Sequence, residues 1–365
     1  MKNKIVNKAV VFLQRVFPAM RQHASDQPDP ARAWRTKRFI LLGVLLAAFS
    51  LLGIAGWSHV SALNAAPNDY DIAVSDQASK KILVMDPAAS DWNSPSAVKW
   101  SWAPSGTNGF AEFTSFWGLP TEARVRDSQF FGGKVMLVTD SRGLAAVIPY
   151  PAGNFKYWAA NVGGNPHAAE MLPNGNIAVA ASTGGWVRVY TSSQSCHSEV
   201  YAEYKLTSAH GVLWDPEKEI LWTLGNSAIV GLKVGGTAAA PTLQEHVRLN
   251  VTSLNGHDIQ PVYGDNDRLW VASGGKVYQY VKSTNSLDLT YSGAGSISRV
   301  GVKAVGNQLS GQVVETVTDT AKTPKGGCTL NTWCTDSVDM FMPDAIKTRT
   351  GAAFYKARIM NPNYQ

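Results

Sequence analysis

The chain has 365 residues, of which 45% are hydrophobic, and a formal net charge of +6. The charge is concentrated at the N-terminus, where residues 1–38 hold nine Lys and Arg against two Asp, so the remainder carries a net charge of −1. The body of the protein therefore has no overall positive field to attract phosphates, which excludes general nucleic-acid binding. Its 32 glycines and many short β-rich segments favour an all-β domain.

A long apolar run follows the basic tail. Residues 39–57 contain 19 residues without a charged side chain, long enough to cross a bilayer. The basic flank predicts that residues 1–38 are cytoplasmic and that the chain beyond a linker at 59–66 is extracytoplasmic. Residues 39–58 are either a retained transmembrane signal anchor or the apolar part of a signal peptide cleaved near Ala62 or Ala65. Both alternatives predict an exported protein, secreted or anchored to the membrane.

The remaining residues, 67–365, show an internal repeat. Three strand candidates, DIAVSD, KKILVMD and AVKWSWAP, come first. From Thr121 onward the chain repeats units of four strand candidates, such as HAAEM, NIAVAAS, GWVRVYTS and YAEYKL. The residues that open the units follow one another at steps of 43, 43, 47 and 46: Arg124, His167, His210, His257 and Lys303. These steps are typical of the four-stranded blades of a β-propeller.

The C-terminal segment AAFYKARIM predicts how the ring closes. It carries Lys356, 53 residues after Lys303, and Arg358. We expect it to be the innermost strand of the blade whose other three strands come from the N-terminal side, because such closure removes exposed sheet edges. The sequence therefore predicts a six-bladed β-propeller over residues 67–365, and we expect a monomer.

The three cysteines fit an exported protein. Cys328 and Cys334 enclose five residues, and the short spacing predicts a disulfide in an oxidising compartment. Cys196 is left over, and its neighbour His197 does not complete a metal-ligand spacing. We interpret Cys196 as a free thiol without an assigned role.

Several segments resemble a known family. The runs SDQASKKILVMDP, GNIAVAASTGGWVRVY, HGVLWDPEKEILWTLG and GHDIQPVYG are similar to exported bacterial and fungal β-propeller proteins of unknown function. This resemblance implies the fold and the export, and no activity. A weaker architectural resemblance is to propeller carbohydrate lyases such as oligogalacturonate lyases, which implies an axial pocket of histidines, glutamine and arginine, sometimes around a divalent metal. Here the histidines and Arg124 match in type, with Gln312 as a candidate glutamine.

The blade-opening residues are the candidate functional site. In a closed ring they converge at one mouth of the central channel, so His167, His210 and His257 are predicted to approach one another. Three imidazoles suit Zn²⁺, Mn²⁺ or a similar ion, with an open position for substrate or water. Glu170 and Asp258 are predicted to orient these rings.

Cationic side chains at the same mouth indicate an acidic ligand. We expect the substrate-binding residues to be Glu122, Lys303, Lys356 and Arg358, and the catalytic residues to be His210, His257 and Arg124. Elimination at a uronic acid needs its carboxylate neutralised and a base to remove the α-proton. The sequence therefore predicts a lyase that cleaves uronic-acid-containing oligo- or polysaccharides by β-elimination.

Three alternatives stay open at this point. Gly256, His257 and Asp258 are also compatible with the structural His-Asp device of WD-type propellers. Glu122 and Arg124 are equally compatible with a structural ion pair. At the level of function, the alternative is a non-catalytic propeller that binds glycan or protein at the cell surface.

Overall fold

The computed structural model describes residues 69–329 and 332–364. The predicted cytoplasmic tail, apolar segment and linker, residues 1–66, lie outside the described residues. Among these described residues, none of the helices has the length and hydrophobicity that a bilayer-spanning segment needs.

Twenty-four strands in the described residues form six four-stranded antiparallel sheets, which are the blades. Blade 1 takes three strands from the N-terminal side: β1 Ile72–Asp76, β2 Lys81–Met85 and β3 Val98–Trp102. Blade 2 contains β4 Pro120–Ser128, β5 Gly133–Asp140, β6 Leu144–Pro149 and β7 Trp158–Asn161. Blade 3 contains β8 Pro166–Met171, β9 Ile177–Ala181, β10 Trp186–Tyr190 and β11 Tyr201–Lys205.

The next three blades repeat this order. Blade 4 contains β12 Gly211–Asp215, β13 Ile220–Leu224, β14 Ala228–Gly236 and β15 Pro241–Asn250. Blade 5 contains β16 Gly256–Pro261, β17 Arg268–Ser273, β18 Val277–Val281 and β19 Ser286–Asp288. Blade 6 contains β20 Val302–Asn307, β21 Val313–Val317, β22 Ser337–Phe341 and β23 Ala345–Thr348.

The last strand closes the ring. β24, Phe354–Ile359, pairs with β1 and becomes the innermost strand of blade 1. The predicted six-bladed architecture and the closing role of the C-terminal strand are confirmed. Short helices lie in the connections: four 3-10 helices at Pro95–Ala97, Gly106–Asn108, Ala111–Phe116 and Asp319–Ala321, and α1 at Ala294–Ile297.

The core lies between the blades. Six hydrophobic clusters each join two neighbouring blades around the ring. Strand β9 shows how one strand contributes to two clusters. Its residues Ile177, Val179 and Ala181 pack toward blade 2, while Ala178 and Ala180 pack toward blade 4. Alternate side chains of a strand point to opposite faces, so a strand with both faces buried is a continuous apolar run.

The cysteines are arranged as the sequence predicts. Cys328 and Cys334 form a disulfide, and Cys196 is an exposed free thiol. The disulfide closes a loop that belongs to blade 6 and lies between β21 and β22.

Candidate functional site

A β-bulge near the start of the innermost strands places the pocket residues. The register of the inner pair shifts by one residue, so that one side chain is extra in each strand: Thr121, His167, His257 and Lys303. His210 takes the matching place directly before β12. In β24, Tyr355 and Lys356 together oppose Ser75. Bulges re-aim side chains, and here they turn His167, His257 and Lys303 toward one mouth of the channel. Thr121 is the exception, because it is buried and donates to the carbonyl oxygen of Pro166.

A left-handed residue precedes four of these positions by two residues. The φ angles are 59° at Asn165, 52° at Ser208, 48° at Asn255 and 79° at Gly301. Left-handed backbone is unusual for residues other than glycine, and it recurs where surrounding structure enforces it. The same turn therefore presents His167, His210, His257 and Lys303.

The three histidines meet as predicted. The ring centroids of His167 and His210 are 4.5 Å apart, and those of His210 and His257 are 5.3 Å apart. With Lys303 they line a pocket of about 510 Å³ at the channel mouth. Tyr355 closes the ring on the other side, with its ring centroid 5.4 Å from that of His167.

Backbone contacts fix the tautomers of two rings. Nδ1 of His167 lies 2.8 Å from the carbonyl oxygen of Asn165, and Nδ1 of His210 lies 2.8 Å from that of Ser208. A carbonyl oxygen only accepts, so Nδ1 carries the proton and Nε2 keeps its lone pair. Neither Nε2 atom has a hydrogen-bond partner among the described residues. Both are available to a ligand.

The imidazole ring of His257 has a side-chain partner instead of a backbone partner. Nζ of Lys303 lies 3.0 Å from Nε2 of His257 and donates to its lone pair. The proton of His257 is then on Nδ1, which is buried and has no hydrogen-bond partner. No carboxylate pairs with Lys303 among the described residues.

The pocket keeps its histidines neutral and its lysine cationic at pH 7. Burial lowers the pKa of His210 to about 4. Burial, together with the neighbouring positive groups, also holds the pKa of His167 and of His257 well below the usual value. Burial and the charge of Lys356 lower the pKa of Lys303 to about 8.

The innermost strands also carry a group of buried charged side chains, which we call the axial ion cluster. Its members are Glu122, Arg124, Arg126, Glu170, Asp258, Lys356 and Arg358. Arg358 binds Glu122 at 2.6 Å and Asp258 at 2.7 Å, while Glu170 accepts from Arg124 at 2.6 Å and from Arg126 at 2.7 Å. Burial alone would raise the pKa of Asp258, but Arg358 and Lys356 hold it at about 2.

Several predicted site residues belong to the axial ion cluster and not to the pocket lining. The prediction that Arg124 is the blade 2 equivalent of the histidines is wrong, because the bulge residue is Thr121. Glu122, Arg124, Lys356 and Arg358 are buried ion-cluster members that do not line the pocket. Lys356 contacts a pocket residue through the backbone, since its Nζ donates to the carbonyl oxygen of His167 at 3.0 Å.

The structure also corrects the predicted roles of the carboxylates. The prediction that Glu170 and Asp258 orient histidine rings is wrong, because their partners are the arginines and Lys356. The WD-type interpretation of His257 also fails, because Nε2 of His257 is paired with Lys303 and its Nδ1 has no hydrogen-bond partner, while Asp258 binds Arg358. Glu122 and Arg124 do form an ion pair, 3.5 Å long and buried.

The positions of the histidine nitrogens and of Gln312 can be compared with the predicted metal site and the predicted pocket glutamine. His167 and His210 each offer a free Nε2, but Lys303 occupies the lone pair of His257. No group of three His, Cys, Asp or Glu side chains in the described ranges is arranged to hold a metal ion. Gln312 is partly buried, does not line the pocket, and donates to the carbonyl oxygen of Pro343.

Sequence reasoning missed several pocket residues. Tyr355 lies one position before Lys356, and only the bulge register reveals that Tyr355 faces the mouth. Gln77, Asn165 and Trp333 come from turns and from the disulfide loop, whose positions the repeat pattern does not predict. For Asn165 a sequence signal was available, because Asn tolerates the left-handed conformation that this turn requires.

Comparison with known proteins identifies a family and leaves the activity open. No curated protein matches the chain. Residues 39–363 match the profile of DUF6528, a family of unknown function, which confirms the resemblance to such a family. Because the match covers most of the sequence, the chain belongs to the family of unknown function DUF6528.

Proposed function

We propose that this protein binds an acidic carbohydrate in the histidine pocket and cleaves it by β-elimination. The observation that carries the proposal is Lys303, a half-buried cation that lines the pocket and has no carboxylate partner among the described residues. A buried cation without a counter-ion is costly unless a ligand supplies one. A sugar carboxylate would be such a counter-ion.

The surrounding charge supports an anionic ligand. The axial ion cluster has four cations and three carboxylates, so Lys303 adds a second unbalanced positive charge near the mouth. The neutral histidines contribute no charge at pH 7. An acidic group therefore meets a positive field although the protein body as a whole is not basic.

The same pocket offers a base for the elimination. With the carboxylate of a uronate on Lys303, the proton on the adjacent carbon passes to the free Nε2 of His210 or His167. The electron pair left behind forms a carbon–carbon double bond, and the glycosidic oxygen leaves from the next carbon and takes a proton from water. The product is an unsaturated acid.

Activity on a panel of uronic-acid oligosaccharides, followed by the ultraviolet absorbance of the unsaturated product, tests the proposal. We expect Lys303→Met and His210→Ala each to reduce turnover by about 10²-fold or more. The matched controls Lys276→Met and His246→Ala change exposed residues outside the pocket and should keep wild-type rates. Full turnover in both pocket variants would overturn the assignment of roles.

A non-catalytic glycan-binding module is the second candidate. The pKa of His210, about 4, favours it, because an efficient general base has a pKa near the working pH. Binding of uronates that depends on Lys303, with no unsaturated product from any substrate, would decide for the module.

Two further parts of the proposal concern metal and location. Metal ligation by His167, His210 and His257 stays a prediction, and metal analysis of the purified protein tests it.

We also propose that the propeller is exported, with residues 39–58 as anchor or signal segment. Protease accessibility of the propeller in intact cells, compared with a cytoplasmic marker, tests the location.

A further inference from the structure

Trp333 differs from the tryptophans that pack between the blades. Its side chain lines the histidine pocket and is 41% exposed, whereas Trp92, Trp158 and Trp222 are at most 2% exposed. A large aromatic ring in contact with water at a pocket wall is apolar surface that folding has not buried.

Trp333 is held firmly despite this exposure. Its Nε1 donates to Oε1 of Gln77 at 3.0 Å, and Gln77 is itself buried, donating from Nε2 to the carbonyl oxygen of Pro120 at 3.2 Å. The next residue, Cys334, is 1% exposed and disulfide-bonded to Cys328. The indole is therefore oriented before any ligand arrives, so that binding has little side-chain freedom to remove.

The pocket thus combines two kinds of contact. Lys303 supplies a charge for a carboxylate, and Trp333 supplies a flat apolar face at the same pocket. The apolar C–H face of a pyranose ring stacks on such an indole, whereas an open-chain acid has no rigid face to stack.

We propose that Trp333 is the stacking platform for the sugar ring and makes the pocket selective for cyclic uronates over open-chain acids of equal charge. This inference rests on the proposed binding of acidic carbohydrate. It adds the residue that recognises the ring, as distinct from the residue that recognises the charge.

Calorimetric titration of the purified protein with two acids tests the inference. Methyl glucuronoside is locked as a ring, and gluconate is an open chain with the same charge. We expect Trp333→Ala to weaken binding of the glucuronoside by about three- to tenfold and to leave gluconate unchanged. Trp333→Phe should restore most of the loss. Phe155→Ala, which removes an exposed aromatic outside the pocket, is the matched control.

The outcomes separate the two proposals. If both acids bind through Lys303 and the ratio of their affinities is the same in Trp333→Ala as in the wild type, the stacking role is overturned and the pocket assignment stands. If neither acid shows binding that Lys303→Met abolishes, both proposals are overturned. Unchanged thermal unfolding and an intact Cys328–Cys334 disulfide confirm that Trp333→Ala is folded.

Discussion

The guanidinium of Arg358 holds the carboxylate of Asp258 by two hydrogen bonds of 2.7 Å each, and so joins the last strand to blade 5. Both side chains are buried. The same guanidinium binds Glu122 in blade 2. One side chain of the closing strand therefore ties together blades on different sides of the ring.

Replacing Arg358 should destabilise the whole propeller. Arg358→Met leaves Asp258 and Glu122 as buried carboxylates with fewer partners, which costs about 3–5 kcal/mol in the free energy of unfolding. Urea unfolding measures the loss. Arg248→Met, which breaks an exposed pair with Glu245, should cost about 1 kcal/mol or less. Equal effects of the two variants would show that the cluster does not stabilise the ring.

Removal of the closing strand should prevent cooperative folding. A chain that ends before Phe354 leaves β1 without its inner partner and opens the ring between blades 1 and 6. We expect the thermal transition to broaden or disappear, because exposed edges and an open core remain. Adding the missing segment as a separate peptide should restore the transition. A sharp, unchanged transition in the truncated chain would contradict closure by β24.

The pH dependence of kcat/KM should be bell-shaped. Activity needs neutral His210, so it rises as pH increases through about 4, and it needs cationic Lys303, so it falls as pH increases through about 8. Lys356→Met removes one cause of the lowered pKa of Lys303 and should move the basic limb to higher pH. A basic limb that stays in place in this variant would argue against Lys303 as the titrating group.

Glu315 should make stability fall with rising pH. Burial raises the pKa of Glu315 to about 8 from 4.5, although Arg299 opposes the shift and Asp339 adds to it. The native state therefore keeps this proton where the unfolded chain loses it, so its contribution is present below pH 4.5 and is lost as pH rises toward 8. The loss is on the order of a few kcal/mol.

The variant Glu315→Gln tests this dependence. It should lose less stability than the wild type between pH 5 and pH 9, as measured by thermal unfolding. Glu199→Gln changes an exposed residue and should follow the wild-type profile. Parallel profiles for the wild type and Glu315→Gln would refute the predicted titration.

The sequence pattern predicts the ring of blades and the approach of its three histidines. It does not predict which charged side chains line the pocket and which are buried in the axial ion cluster. His167, His210 and His257 recur at blade spacing, so a closed ring brings them together whatever the details of the strands. Arg124 and Lys356 are charged residues near the same strand starts, and spacing alone does not distinguish the bulge residue from its neighbours. The one-residue register shift decides which of them faces the mouth.

The disulfide loop shows a second limit. Trp333 lies in a connection outside the repeated strands, so periodicity says nothing about where it lies. At the pocket it donates to Gln77, which lies 256 residues earlier in the chain. Contacts of this kind follow from tertiary closure, which only the folded chain reveals.

The inserted residue of each inner-strand bulge stands outside the ladder that joins it to the next strand. Exchange of such a residue alters what the mouth can recognise while the pairing of the strands and the charges beneath stay as they are. A handful of positions at the mouth can therefore change without altering the scaffold that carries them.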